Sequence, residues 1–466
     1  MLLLPILLPC AFCLCAAFIN NKKLISRLLV ATLIFVFACA VFLSLSPADE
    51  INILSAGVLS FALKNDSISN VFALLFSGIF LLAGIYSLWY FKDENDIKSF
   101  YISFMLSLGS LMGLSFANTI AGMFLFFVAA ALSSAPMVAF DKTEKAINTG
   151  KEYVKHSSVG ALLALIGLLL VLPRLSSADF VKGGMFDAAQ SSNNILFLIF
   201  LLISCLGFSS KAGLFPQYSW LPAAHPVAPS PASAVLSGLI TKAGIITLIR
   251  LIYFCVGTEV FSGSFVQYVL IILSLITILL GSTLALKEKE LKRRLAYSSV
   301  SQLSYILCGI FLANEASLHG AMLHVIAHAI IKSGLFLCAG AILNETGIKN
   351  VDELKGLGHK MPFTFVCFSL LSFALIGIPP FIGFYSKWYL AVSVGGVLGF
   401  IVPIVLIISA LLTASYLLPV CIGAFFNKSD NIALKSNKIS PVMALPMALL
   451  TLLSAFIGFV IQEGIC

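Results

Sequence analysis

The sequence has little charge, and this excludes a soluble fold. Asp, Glu, Lys and Arg make up 10% of the 466 residues, whereas soluble domains carry about 25%. Apolar runs of about 20 residues, each long enough to cross ~30 Å of hydrocarbon, recur from end to end. No polar stretch between them is long enough to bury a core of its own. We therefore predict an all-α polytopic membrane protein, with one integral membrane domain over residues 1–466.

Interruptions in the hydropathy predict about 14 transmembrane helices. We place them, to within ~2–4 residues at each end, at roughly residues 2–19, 25–46, 70–91, 100–118, 120–140, 157–173, 194–216, 230–254, 263–286, 296–313, 318–344, 362–390, 397–426 and 441–462. The first run has no basic residue before it, and "NKK" follows it, so we expect a retained span rather than a signal peptide.

The basic residues of the predicted loops are distributed very unevenly. Twenty lie on one side, including Lys428, Lys435 and Lys438. The other side has only Lys64, Arg174, Lys182 and Arg250. By the positive-inside rule, the first side is cytoplasmic and both termini face the outer side of a cell (inner) membrane. The net charge of +8 is then explained by the basic residues of the cytoplasmic loops, which orient the protein in the membrane, and no nucleic-acid partner is predicted.

Metal-binding motifs are lacking. The run "CAFCLC" has no second Cys or His pair nearby, and the remaining cysteines are scattered through apolar spans, where Cys behaves as a small hydrophobe. His324 and His328 have a spacing that can hold a metal, but HExxH is absent and no third ligand is evident. We predict no metal, no cofactor and no catalytic residue. A membrane metalloenzyme that uses the two histidines is the alternative.

Prolines interrupt two of the predicted spans. Pro216 lies in "KAGLFPQYSWLP" of the seventh, and Pro379 and Pro380 lie in "IGIPPFIGFYSKW" of the twelfth. Proline removes a backbone donor and clashes with the preceding turn, and broken backbone at membrane depth is tolerated when it is buried or lines a cavity. The breaks lie five spans apart, an odd number, which predicts two inverted repeats: spans 4–8 (about residues 100–255) and spans 9–13 (about 263–426). Proline placed for packing alone is the alternative.

Six ionisable residues lie inside the predicted spans: Lys211, Lys242, His324, His328, Lys332 and Lys387. A charge at the bilayer centre costs ~2.5–3.5 kcal/mol even on lenient scales, so such residues normally face a bundle interior or water. His324, His328 and Lys332 follow the i, i+4, i+8 spacing of one helical face. We predict a proton path, although a lysine near a span end, such as Lys242 or Lys387, can instead reach the interface.

Carboxylates are missing from the middle of every predicted span. Four buried ammonium groups without a counter-charge cannot all be charged together. We therefore expect some of the four lysines to be neutral, or an acid to come from another subunit.

Four stretches carry a family resemblance: "KAGLFPQYSWLPAAHPVAPSPASAVLSGLITKAGI", "RRLAYSSVSQLSYILCGIFL", "HVIAHAIIKSGLFLCAGA" and "DELKGLGHKMP…GIPPFIGFYSKW". Together they resemble the antiporter-like, proton-conducting subunits of complex I, of membrane-bound nickel-iron hydrogenases with formate hydrogenlyase, and of multisubunit sodium/proton antiporters. The resemblance runs from about residue 70 to 425. It implies 14 helices, inverted repeats, broken seventh and twelfth helices, and a half-membrane proton channel in each repeat. No long lateral helix is expected after span 14.

The resemblance also implies roles for the six ionisable residues. Lys211 matches the family's seventh-span lysine and Lys242 its eighth-span connecting lysine. His324, His328 and Lys332 match the eleventh-span relay, and Lys387 matches the terminal ionisable group of the twelfth span. One position departs from the family: Val128 stands where a fifth-span glutamate usually pairs with the seventh-span lysine.

The predicted function is a proton-translocating subunit, with sodium/proton exchange as a variant, in a larger redox-driven oxidoreductase complex. The string "AHPVAPSP" is most similar to hydrogenase-associated members, so we rank that complex first, a multisubunit cation/proton antiporter second and complex I third. The implied partners are other membrane subunits and, through them, peripheral nickel-iron or iron-sulfur subunits. A non-pumping structural subunit is the alternative that Val128 suggests.

Overall fold

Long helices follow the apolar runs of the sequence. A computed structural model describes residues 1–55, 57–94, 96–171, 179–186, 194–427 and 439–463. The longer helices are α1 Leu4–Phe18, α2 Lys22–Leu45, α3 Ser67–Tyr90, α4 Lys98–Phe116, α5 Ile120–Val138, α6 Glu144–Val171, α7 Ile195–Lys211, α8 Trp220–Val227, α9 Ser230–Val256, α10 Phe265–Lys287, α11 Leu291–Phe311, α12 Glu315–Thr346, α13 Pro362–Ile376, α14 Ile382–Val392, α15 Leu398–Phe426 and α16 Pro441–Glu463.

The helices are long and apolar enough for a membrane protein. Within the described ranges, nine of them could cross a membrane by length and composition, and α1, α7 and α13 are shorter apolar helices. This confirms the predicted polytopic, mainly helical membrane architecture. One small addition was not predicted: strands β1 Glu50–Leu54 and β2 Phe61–Lys64 form an antiparallel hairpin between α2 and α3.

The centre of the bundle is formed by α9 and α12. In each of these helices, 94% of the most apolar window is buried inside the protein, against 28% in α2 and 33% in α16. Helix α12 packs against α9, α11, α13, α14 and α16. A helix with neighbours on every side can carry polar groups away from lipid, which is where four of the six predicted ionisable residues lie.

The proline-containing stretches lie between helices. α7 ends at Lys211 and α8 begins at Trp220, with Pro216 in the connection. α13 ends at Ile376 and α14 begins at Ile382, with Pro379 and Pro380 between them. Gly377 follows α13 with φ 96°, a left-handed conformation that ends a helix and that glycine adopts without strain.

Two basic residues that were counted with the predicted loops lie inside helices. α11 begins at Leu291, before the predicted start at residue 296, and so contains Lys292. Arg250 lies near the end of the predicted span 230–254 and within α9, which continues to Val256. A span predicted from hydropathy ends where a charged residue occurs. A helix can continue past that residue when the charged side chain has a hydrogen-bond partner. Lys292 finds one in the Ala228 carbonyl, at 2.7 Å. The predicted loop residues Arg174, Lys428, Lys435 and Lys438 lie outside the described residues.

Candidate proton path

The centre of the site is a contact between the two most buried helices. Lys242 on α9 and His328 on α12 are both fully buried, and the lysine Nζ lies 2.5 Å from the histidine Nδ1. Lys242 also donates to the Ser237 carbonyl at 3.2 Å. A shared hydrogen bond between an amine and an imidazole lets a proton pass from one helix to the other.

Lys332 lies two helical turns from His324 and binds a third helix. Its Nζ donates to the Leu295 carbonyl at 2.7 Å and to the Ser298 hydroxyl, both on α11. Lys332 is fully buried. The ammonium therefore has neutral oxygen partners, which stabilise its charge less than a carboxylate would.

At the other end of this row of residues, His324 and Lys387 lie close to the second helix break. His324 Nδ1 lies 2.8 Å from the Ser386 hydroxyl on α14, and its ring stacks on Tyr305. Lys387, next to Ser386 in sequence, donates to the carbonyls of Leu375 and Ile376 at 2.6 and 2.9 Å. These carbonyls end α13, where the helix dipole places partial negative charge, so the break provides a binding site for the ammonium.

Lys211 lies at the first helix break, apart from the other five. Its Nζ donates to the Tyr153 hydroxyl at 2.7 Å and to the Ser157 hydroxyl at 3.0 Å, both on α6. Helix α9 comes very close to it: a Cβ added at Gly244, two residues after Lys242, would lie 3.3 Å from the Lys211 Cβ. The structure thus brings the backbones of the two lysine-bearing helices together, although the hydrogen bonds of the two lysines go to other groups.

The four lysines share one property. In the part of the chain that the structure describes, their hydrogen-bond partners are hydroxyls, an imidazole and backbone carbonyls rather than carboxylates. The two histidines of α12 face different neighbours, Lys242 and Ser386, rather than a common ligand position. No group of three His, Cys, Asp or Glu suited to a metal ion occurs among the described residues.

Residue-by-residue reasoning from the sequence missed a third buried histidine. His225 on α8 is completely buried, its ring stacks on Phe336 at 4.4 Å, and neither ring nitrogen has a partner within the described structure. The Nε2 atoms of His324 and His328 are likewise unpartnered there. Buried polar atoms are rarely left without a partner, so these three histidines stand out among the buried polar groups. The sequence signal for His225 was its place in the "AAHPVAPSP" string, which was used only to rank the possible parent complexes.

A buried ion pair also escaped the sequence reasoning. Arg250 is 2% exposed and binds Asp66 through two hydrogen bonds, at 2.6 and 2.9 Å. Asp66 lies just before α3, where it also accepts from the Ser69 amide. Burial raises the pKa of Asp66, but the hydrogen bonds and charge of Arg250 outweigh it, and the resulting pKa lies below its ordinary value. The two residues are 184 positions apart, so no local pattern could pair them.

Known proteins resemble this chain over most of its length. The family model described as NADH:quinone oxidoreductase/Mrp antiporter, transmembrane, matches residues 117–415. NADH-quinone oxidoreductase subunit N of Desulforudis audaxviator (strain MP104C) is 32% identical over 337 residues, covering 72% of this chain and 66% of that protein. Na(+)/H(+) antiporter subunit A1 of Staphylococcus aureus (strain JH9) is 28% identical over 428 residues, covering 86% of this chain and 52% of that protein.

Hydrogenase-4 component B of Escherichia coli (strain K12) is 31% identical over 343 residues, covering 70% of this chain and 50% of that protein. This chain thus spans about two thirds of the first relative and about half of the other two. Among solved structures, a chain of the Mrp complex from Dietzia sp. DQ12-45-1b superposes with a TM-score of 0.86 at 20% identity, covering 99% of this chain and 95% of that one. At that identity the superposition shows a common fold.

Proposed function

Because this chain belongs to the NADH:quinone oxidoreductase/Mrp antiporter transmembrane family, as an antiporter-like subunit, we propose that it carries protons along its buried row of lysines and histidines. The observation that carries the proposal is the 2.5 Å contact between Lys242 and His328, which joins the two most buried helices. A proton relay requires hydrogen bonds between groups that can each accept and release a proton, as an amine and an imidazole can. Exchange of sodium for protons is the variant that the antiporter relatives suggest.

In this proposal each residue has a place in the row. Lys332 holds a proton between α12 and α11, and Lys242 and His328 pass it between α9 and α12. His324 connects the row to Ser386, and Lys387 lies at the second helix break. Lys211 receives protons at the first break. The contacts of Lys242 with His328 and of His324 with Ser386 support this order. Lys332, Lys387 and Lys211 are placed by the helices on which they lie, and no step needs a metal or a cofactor.

The finer architecture belongs to the same proposal. We assign 14 transmembrane spans, with inverted repeats over about residues 100–255 and 263–426 and with both termini on the outer side. Support comes from the matching positions of the two breaks: α7 and α8 flank Pro216, and α13 and α14 flank Pro379 and Pro380. A test is to place single cysteines in the loops and label them from each side of the membrane.

The parent complex is a further part of the proposal. We rank a membrane-bound hydrogenase or formate hydrogenlyase type first, a multisubunit cation/proton antiporter second and complex I third. The relatives include members of all three kinds. Purification from native membranes in mild detergent, with mass spectrometry of the partners, separates them. Nickel-iron or iron-sulfur subunits support a redox complex, whereas only small membrane partners support the antiporter.

The decisive experiment replaces Lys332 in the complete complex. We expect Lys332→Ala to abolish proton translocation, because α12 then has no ammonium between His328 and α11, and to leave assembly intact. The measurement is dye-reported acidification of proteoliposomes driven by a potassium diffusion potential. Lys349→Ala is the matched control, since Lys349 is exposed. Undiminished translocation by the Lys332 variant would refute the relay.

A non-pumping structural subunit is the second candidate. It is favoured by the environment of Lys211, whose partners are the neutral hydroxyls of Tyr153 and Ser157 rather than a carboxylate. If this candidate is correct, the wild-type complex shows no potential-driven proton flux above that of protein-free liposomes, and the Lys332 variant leaves that baseline unchanged.

A further inference from the structure

The surroundings of Lys211 contain a continuous chain of hydroxyl groups. The Tyr153 hydroxyl lies 2.7 Å from the lysine Nζ and 2.5 Å from the Ser134 hydroxyl. Ser134, in turn, lies 2.9 Å from the carbonyls of Ala130 and Ala131. Tyr153 and Ser134 are both buried, so the chain runs from α7 through α6 to α5 without exposure to solvent.

This chain can be fully hydrogen-bonded in either protonation state of Lys211. When the side chain is an ammonium, it donates to Tyr153, Tyr153 donates to Ser134, and Ser134 donates to a carbonyl of α5. When it is a neutral amine, its lone pair accepts from Tyr153, and Ser134 turns to donate to Tyr153. Only hydroxyl rotation distinguishes the two arrangements, so Tyr153 keeps its own proton throughout.

The aromatic ring of Tyr153 holds the same ammonium. The lysine Nζ lies 4.2 Å from the centre of that ring and 5.2 Å from the centre of the Trp220 ring, within the range of cation–π attraction. The two rings meet edge to face at 5.2 Å, and the Trp220 indole donates to the Ser210 carbonyl at 3.0 Å. Tyr153 is therefore fixed between α6 and the first turn after the helix break.

We propose that Tyr153 is the positioning residue of Lys211: its hydroxyl accepts from the ammonium, donates to the amine and relays the change to Ser134. A carboxylate would hold the charged lysine more strongly but would bind the neutral one no better. A hydroxyl that works in both directions lets Lys211 lose its proton without leaving an unsatisfied buried donor. This inference rests on the proposed function, since it matters only if Lys211 carries protons.

The test compares four forms of the complete complex in proteoliposomes under a potassium diffusion potential: wild type, Tyr153→Phe, Lys211→Ala and the double variant. Tyr153→Phe keeps the ring and removes only the hydroxyl. We expect it to lower proton flux about tenfold, as the loss of one hydrogen bond to a charged group implies. The double variant should equal Lys211→Ala alone. Tyr101→Phe is the control, because the Tyr101 hydroxyl contacts Ser87 rather than a lysine.

The outcomes separate the inference from the function on which it rests. Full flux with Tyr153→Phe and none with Lys211→Ala overturns the inference and leaves the proposed function standing. Where Lys211→Ala keeps measurable flux, a double variant that is slower still shows that the tyrosine is merely structural, and this also overturns the inference. Full flux with Lys211→Ala removes this lysine from the proposed path. If Tyr153→Phe fails to assemble, Ser134→Ala takes its place: reduced flux supports the chain of hydroxyls, and unchanged flux overturns it.

Discussion

Removal of the Asp66 carboxylate should destabilise the protein through a residue far away in sequence. In Asp66→Ala, Arg250 stays buried with its two charge-assisted hydrogen bonds broken. Its guanidinium keeps the 3.0 Å hydrogen bond to Ser69 and the contact with the Phe254 ring. Breaking a buried pair from one side costs ~3–5 kcal/mol. Because the Asp66 side chain is 23% exposed, the lower part of that range applies. With the lost cap of α3, we expect the free energy of unfolding to fall by about 3 kcal/mol.

The assay is equilibrium unfolding in lipid–detergent micelles of four forms: wild type, Asp66→Ala, Arg250→Met and the double variant. The double variant should recover part of the loss, because no unpaired charge remains buried. Lys64→Ala is a matched control, since its ion pair with Glu50 is more than one-third exposed and 3.5 Å long. An Asp66→Ala loss below about 0.5 kcal/mol would refute the reasoning, as would a double variant that loses the sum of both single effects.

Three further predictions concern pH, packing and the fifth span. The pKa of Asp66 is lower in the folded protein than in the unfolded chain, so the ionised carboxylate stabilises the fold. This stabilisation is complete above the unfolded-state pKa near 4 and is lost as the pH falls towards the folded-state pKa. In acid unfolding curves, wild type should therefore lose its stability advantage over Asp66→Asn. A Cβ at Gly207 would lie 2.3 Å from the Ala164 amide nitrogen, so Gly207→Ala should separate α6 from α7 and lower both the melting temperature and the proton flux. Gly395→Ala is the control: a Cβ there meets nothing within 4 Å, so neither quantity should change. Val128→Glu should raise flux in the liposome assay if a carboxylate beside the path is limiting; unchanged flux would favour a route that uses neutral partners.

The i, i+4, i+8 spacing on α12 predicted burial well and contacts poorly. His324, His328 and Lys332 are all buried. Yet they contact three different helices, because four residues advance about 40° beyond a full turn and eight advance about 80°. Residues with this spacing therefore lie along a line that turns slowly around the helix. Which neighbouring helix each of them contacts depends on the tertiary packing.

The partners of Lys211 and Arg250 show the same limit. Composition and hydropathy predicted a polytopic helical protein, since those properties are local to each span. Tyr153 is 58 residues from Lys211, and Asp66 is 184 residues from Arg250. Residues so far apart in sequence are not related by helical or strand periodicity, so only the folded bundle shows which polar groups lie side by side. The sequence could say that a buried lysine needs a partner, but it could not say that the partner is a tyrosine.

The 2.5 Å contact between Lys242 and His328 limits how many protons the proposed row can hold at one time. Two positive charges at that separation repel by about 7 kcal/mol at an effective dielectric constant of about 20. The two side chains therefore count as one site with one exchangeable charge between them. A transport stoichiometry inferred by counting ionisable residues would be too high, because adjacent positions in such a row fill alternately rather than together.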